Sequence, residues 1–159
     1  MPERPSRAIA RQILRHRSFS FQEFSTRYAK VENFQQVEAR RQDARNRQGS
    51  IDDLDAETVQ WWAETQQNLI DSLRVIYDMA LERGIAKECA RAILPEGLTE
   101  STMYMTGTIR SWITYVNLRT GHGTQLEHQR IAREIQELLI VEMPIIGEAF
   151  GWSGPEVAV

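Results

Sequence analysis

From Asp55 to Arg83 no proline or glycine interrupts the chain. Within that run Trp62, Leu69, Leu73, Ile76, Tyr77 and Ala80 recur at helical spacing. Asp55 opens this helix and Gly84 follows its end. Other helical stretches surround it. Ser6 is an N-cap for a helix carrying Ala8, Ile9, Ile13 and Leu14 and running to about Arg15. A short helix over Ala86 to Leu94 stops at Pro95, and one over Ile109 to Leu118 is broken by Gly121 and Gly123. A last helix spans Gln125 to Glu142, with Ile131, Ile135, Leu138 and Leu139 inward, and Pro144 ends it. Extended structure is expected over Ser18 to Tyr28 and over Leu98 to Thr106. Residues 32–53 are polar and read as a long loop, which in a compact domain is often functional. The tail from Ser153 reads as loose. The fold class is therefore α+β (α/β in the broad sense), mainly helical with a few antiparallel strands. The 159 residues make one domain, 1–159. Arg7 to Arg17 reads as a helix already under way, so the chain is expected to begin inside a larger domain.

Charge sharpens this picture. The net charge is -3, yet only Lys30 and Lys87 are lysines, and ten arginines lie between Arg4 and Arg47. An arginine fork pairs with phosphate or carboxylate through two parallel bonds, so the clustering points to anion recognition. An arginine-rich nucleic-acid module is the reading from another class. It calls for a basic chain, whereas the pI is about 5.7 and Asp52 to Glu57 is acidic. The single cysteine, Cys89, excludes an internal disulfide and a multi-cysteine metal site, and no metal is expected. No apolar run is long enough to cross a membrane and no signal-peptide pattern is present, so a cytoplasmic protein is expected.

The densest chemistry lies at Arg15-His16-Arg17 and the residues that follow. At a helix-to-strand junction three such side chains splay and reach several anionic groups. A strand from Glu23 to Arg27 places Glu23, Ser25 and Arg27 on one face, because side chains alternate with period two. That face would offer an acceptor, a hydroxyl and a guanidinium to a nucleotide. Composition alone favours a solvated basic turn with a surface ion pair.

A resemblance weighs in at this point. The stretch from Ala10 to Tyr28, with Arg15-His16-Arg17, seven residues and then Ser25, resembles the signature of flavin-dependent thymidylate synthases. Arg40-Arg41-Gln42-Asp43 and Asn46-Arg47-Gln48-Gly49-Ser50 resemble a loop of some members. Glu88-Cys89-Ala90-Arg91-Ala92-Ile93-Leu94-Pro95 is similar to a further block, and Arg110-Ser111, Asn117-Leu118-Arg119, Gln125 and Glu127 to the next. These blocks occur in family order over nearly the whole chain.

The resemblance implies the thymidylate synthase-complementing protein fold, with an N-terminal portion of that fold without counterpart here. It implies reductive methylation of dUMP to dTMP, with methylenetetrahydrofolate as carbon donor and FAD, reduced by NADPH, as hydride donor. The dUMP set would be Gln12, Arg15, Glu23, Phe24, Ser25, Thr26, Arg27, Arg91 and Arg119. Arg119 would be catalytic, polarising the uracil ring. The FAD set would be Arg15, His16, Arg17, Glu23, Thr108, Ile109, Arg110 and Thr114. The partners would be these small molecules and three further copies of the chain in a homotetramer, with neither nucleic acid nor membrane involved. Departures exist: Gln22 replaces a usual Asn, Thr108 and Thr114 stand where flavin-contacting Asn residues are common, and His122 lies one place before a family His. A catalytically impaired nucleotide- or flavin-binding relative is the neighbouring alternative. Cys89, on a short helix, reads as a packed residue and not a nucleophile, and His128 as structural or exposed.

Overall fold

The computed structural model describes residues 4–152. In chain order the elements are α1 (Arg7–Ile13), β1 (Phe19–Glu23), β2 (Arg41–Gln42), β3 (Ser50–Ile51), α2 (Ala56–Glu82), α3 (Lys87–Ala90), β4 (Met103–Gly107), α4 (Ile109–Arg119), α5 (Leu126–Glu142) and α6 (Pro144–Ala149). A single 3-10 turn, Arg91–Ile93, extends α3. Ser6 caps α1 by accepting from the Ile9 amide, Asp55 caps α2 through Thr58, and Thr108 caps α4 through Ser111. Gly84, at φ 82°, ends α2 in the left-handed region that favours glycine.

The core forms where β1 and β4 meet α4 and α5. The strands pair antiparallel, with Phe19 opposite Gly107 and Glu23 opposite Met103. Phe19 lies over the backbone of Gly107; a Cβ there would stand 2.4 Å from the Phe19 ring, so only glycine lets the strands close. Phe19 then meets Trp112 edge-on at 4.7 Å and packs with Tyr115, Val116 and Ala132. Gln129 on α5 donates to the Thr120 and Gly121 carbonyls, which satisfies the C-terminal end of α4 and fixes α4 against α5.

Several expectations need correction. The strand from Ser18 does not reach Arg27. β1 ends at Glu23, Phe24 still bonds to the Thr102 carbonyl, and the chain then turns, with the Tyr28 and Ala29 amides on the Ser25 carbonyl. The second extended stretch is also shorter: β4 covers Met103–Gly107, while Leu98 and Thr99 are buried beside it. The 32–53 loop is not free. It carries the β2–β3 hairpin and is fastened to α2 by Trp62 Nε1 donating to the Val37 carbonyl, and to α5 by a buried Arg40–Glu127 ion pair. On α2 the buried positions are Gln66, Ile70, Leu73 and Tyr77, whereas Leu69 and Ile76 lie exposed. Gln66 belongs inside because its amide meets both backbone groups of Val37. On α5 the most buried side chains are Glu127, His128, Gln129 and Ala132; Ile135 and Leu139 pack at the core's edge and Leu138 is exposed. Cys89 is exposed, because the one-turn α3 buries only Ala90. The segment from Ser153 lies outside the described residues.

Candidate functional site

Just beyond α1 the backbone tightens. Arg15 N bonds to the Gln12 carbonyl, His16 N to that of Ile13, and Phe19 N to that of His16. This corner separates the three side chains. His16 turns inward, edge-on to Tyr115 at 4.8 Å, while Arg15 and Arg17 stay exposed. Arg119, at the end of α4, donates through Nε to His16 Nε2 at 2.8 Å. An accepting ring nitrogen carries no proton, so His16 is neutral there. Burial, and then the Arg119 charge, push its pKa below the ordinary value, in agreement with that role.

Arg15 and Arg119 therefore face one cleft of about 600 Å³, with Gln12 and Gln125 in its wall and Arg11 and Gln48 at its margin. Among the described residues the Arg15 guanidinium has no hydrogen-bond or ion-pair partner. A second cleft of about 490 Å³ shares Arg11 and is lined by Arg7, Thr26, Glu88 and Arg91. There Arg91 Nη1 donates to Thr26 Oγ1 at 3.2 Å. Arg27 grips Glu88 through two bonds of 2.9 and 3.2 Å. A third and smaller cleft holds Phe24, Ser25 and Thr26 beside Lys30 and Asn33. Seven of the nine sequence-predicted substrate residues, Gln12, Arg15, Phe24, Ser25, Thr26, Arg91 and Arg119, thus line three clefts linked by Arg11 and Thr26, whereas Glu23 and Arg27 line none of the three. Glu23 does not share a face with Ser25 and Arg27: it accepts from Ser101 Oγ at 2.6 Å and pairs with Arg7 at 3.3 Å. Ser25 Oγ accepts from the Arg27 amide at 3.3 Å, so the hydroxyl first serves the turn.

Of the predicted flavin residues, Arg110 and Thr114 border a different surface, while Arg15 lines the first cleft and Glu23 stays with Ser101 and Arg7. Thr108 Oγ1 is spent as the cap of α4, and Thr114 Oγ1 donates to the Arg110 carbonyl. Arg110 and Thr114 border an open, mainly apolar shelf with Ile113, Leu118 and Phe150. Exposed guanidiniums of Arg15, Arg17 and Arg110 suit a diphosphate, and an apolar shelf suits a flat ring, so the donor set fits FAD. His122 does not join this surface; it lines a separate cleft with Arg40 and Asp43 of the hairpin loop.

Sequence reasoning missed the layer beneath the first cleft. His128 is fully buried, bonded to Tyr115 Oη at 2.9 Å and to Gln12 Oε1 at 3.4 Å. Burial first, then Arg119 and His16, push its pKa down to about 4. Arg40, deep in the polar loop, reaches Glu127 in the same layer. One signal was available: Gln125 and His128 stand three apart at the start of one helix, at the N-cap of α5 and in its first turn. Among the described residues no group of three or more His, Cys, Asp or Glu side chains is placed to hold a metal ion, and no helix is long and apolar enough to cross a membrane.

A two-stranded antiparallel pair packed on helices, with guanidiniums and amides converging on polar clefts, defines an α+β protein whose clefts suit anionic small molecules. Residues 3–145 match the family described as thymidylate synthase complementing protein, and the chain belongs to that family. It is 52% identical over 148 residues to a probable flavin-dependent thymidylate synthase of Paramecium bursaria Chlorella virus 1, and 47% identical over 147 residues to a flavin-dependent thymidylate synthase of Synechocystis. Each alignment covers 92% of this chain and 68% of the relative. Among solved structures, the UMP/dUMP methylase PolB of Streptomyces cacaoi, bound with 5-Br dUMP, superposes with a TM-score of 0.77 at 26% identity, over 95% of this chain and 69% of that one. The expected fold is thereby established.

Proposed function

We propose that this chain is a flavin-dependent thymidylate synthase. It methylates dUMP to dTMP with methylenetetrahydrofolate as carbon donor and FAD, reduced by NADPH, as hydride source. The observation that carries the reading is the cleft in which Gln12, Arg15 and Arg119 converge, in a chain of this family. When bound, the flavin supplies the hydride, so the protein's work is to bind, orient and polarise. The Arg119 guanidinium is a delocalised positive charge, and its Nε is held by His16. It therefore offers a fixed positive charge to a uracil carbonyl as electron density moves toward C5. Arg15 holds an anionic group at the mouth of the same cleft, and Arg91, steadied by Thr26, does so in the next. Phe24, Ser25, Thr26 and Arg27 form the neighbouring wall. Glu23, bonded to Ser101 and Arg7, steadies that wall and the start of α1. Arg17, Thr108, Ile109, Arg110 and Thr114, with Arg15 and His16, would hold FAD.

Because these residues divide among adjoining clefts, complete active sites are proposed to form between copies of the chain in a homotetramer. The exposed apolar side chains of α2, among them Leu69, Val75, Ile76 and Met79, support association. A reaction on small-molecule substrates that draws on NADPH and folate supports a cytoplasmic location, which is part of this proposal.

The direct test is release of tritium from [5-³H]dUMP in the presence of FAD, NADPH and methylenetetrahydrofolate. Release is expected only with all components present. A protein that holds flavin and dUMP but releases no tritium under these conditions would instead be the catalytically impaired relative.

A further inference from the structure

The polar layer under the Arg15–Arg119 cleft is a continuous chain of hydrogen bonds, and its directions follow from chemistry alone. Glu127 is its anchor. Its side chain is 8% exposed and accepts from Arg40, itself 9% exposed, and from Gln125 Nε2 at 2.9 Å. Burial acts to raise the Glu127 pKa, but the hydrogen bonds from Arg40 and Gln125 and the Arg40 charge hold it below the ordinary value. An ionised carboxylate only accepts, so the Gln125 group facing it must be its NH₂. Gln125 Oε1 then faces the other way and accepts from Gln12 Nε2 at 2.7 Å. Gln12 Oε1 is therefore the group turned to His128 Nδ1, which must carry the hydrogen. The opposite nitrogen, Nε2, is left as an acceptor, so Tyr115 must donate to it. Burial pushes the Tyr115 hydroxyl up to about 12, and it keeps its proton. Amide orientation and imidazole tautomer are usually matters of assignment; here one carboxylate determines all of them. Gln125 is free to act in this way because its side chain does not cap α5, although it occupies the N-cap position.

We infer that Glu127, Gln125, His128 and Tyr115 form a direction-locked relay that holds Gln12 with its oxygen turned inward and its remaining N–H available to the cleft. His128 and Tyr115 are then positioning residues for nucleotide binding, acting through Gln12. With Arg15 and Arg119, Gln12 gives this wall three donors matched to phosphate or carbonyl oxygen on the nucleotide, and the one carboxylate in the lining, Glu96, is paired with Arg11. The inference rests on the reading of this cleft as the dUMP site.

Two measurements test it. The first needs no nucleotide. In ¹⁵N-histidine-labelled protein at neutral pH, His128 should show the neutral Nδ1–H tautomer, its resonances identified by their loss in H128N. An Nε2–H tautomer or an imidazolium would overturn the relay. The second is a comparison of dUMP affinity. An Asn amide can place N–H near the Nδ1 position, whereas a Gln amide reaches the Nε2 position and loses the bond to Gln12. H128N should retain dUMP affinity within about threefold, and H128Q should weaken it by about tenfold or more, the scale of one lost buried hydrogen bond. In a Q12A background H128Q should add less than about twofold, because the two substitutions remove the same interaction. An equal loss in both backgrounds would show that His128 merely supports the fold. Absence of dUMP binding by the unmutated chain would instead defeat the nucleotide reading, while the tautomer measurement still decides the relay.

Discussion

At the scale of single residues the two arginines assigned to the nucleotide differ in environment. Arg91 is tied to Thr26 Oγ1 and the Glu88 carbonyl, while Arg119 is aimed by a neutral imidazole. Loss of a charge-assisted hydrogen bond costs about 1.5–3 kcal/mol. Arg91→Ala should accordingly weaken dUMP binding by about ten- to a hundredfold with less change in kcat. Arg119→Ala should mainly lower kcat, because its contact strengthens as charge develops on the ring. Steady-state kinetics with direct dUMP titration separate the two, and the reverse pattern would exchange their roles. Neither Ser25 nor Cys89 is placed to act as a covalent nucleophile. Ser25 Oγ serves a turn, and the exposed Cys89 has no described histidine partner to activate it. Cys89→Ala should retain most activity, and Ser25→Ala should lower activity without abolishing it. A covalent adduct of either residue with dUMP, found by mass spectrometry, would require a different mechanism. The Arg-His-Arg corner was legible from residue order alone. The bond from Arg119 to His16, 103 positions away, was not, because no local pattern encodes it.

At the scale of elements, the hairpin loop and the α4–α5 pair carry the sharpest consequences. The 32–53 loop is held to α5 by the buried Arg40–Glu127 pair. Removing one partner of a buried pair leaves an uncompensated charge, at a cost of about 3–5 kcal/mol. Arg40→Ala should therefore lower the denaturation midpoint well beyond the effect of Arg41→Ala, whose partner Asp53 is exposed. Equal midpoints for the two variants would show that the loop is held otherwise. Between α4 and α5, His128 has a folded-state pKa of about 4, below its ordinary 6.5. The unfolded chain then binds more protons than the folded one in this interval, so His128's contribution is complete above pH 6.5 and is lost as pH falls toward 4. Thermal unfolding across that range should show Tm falling with pH, and less steeply in H128N. The helices themselves were largely readable from spacing and caps. Which face each presents was less so: on α2 the sequence marks Leu69 and Ile76 as apolar, yet Gln66 goes inside because its amide pairs with both the N–H and the carbonyl of Val37.

At the scale of the whole molecule, the clefts and the uncovered apolar side chains lead to the same expectation. Ile76 is 53% exposed and Val75 59% on the outer side of α2. If copies associate through this helix, Ile76→Glu should shift the mass measured by light scattering from tetramer toward smaller species and lower activity with it. An unchanged mass would move the interface elsewhere. Local patterns in the sequence determined five of the six helices with most of their caps and stops, the arginine bias and the Arg-His-Arg corner, since each depends on residues a few positions apart; α6, which begins at the Pro144 read as a stop, was not among them. The tertiary structure alone decided that β1 ends at Glu23 and turns Ser25 away from it, that Cys89 faces solvent, and that Arg40, Glu127, Gln12 and His128 share one buried layer. Those outcomes depend on which distant groups find hydrogen-bond partners once water is excluded, and burial makes an unpartnered polar group too costly to leave the choice to local propensity.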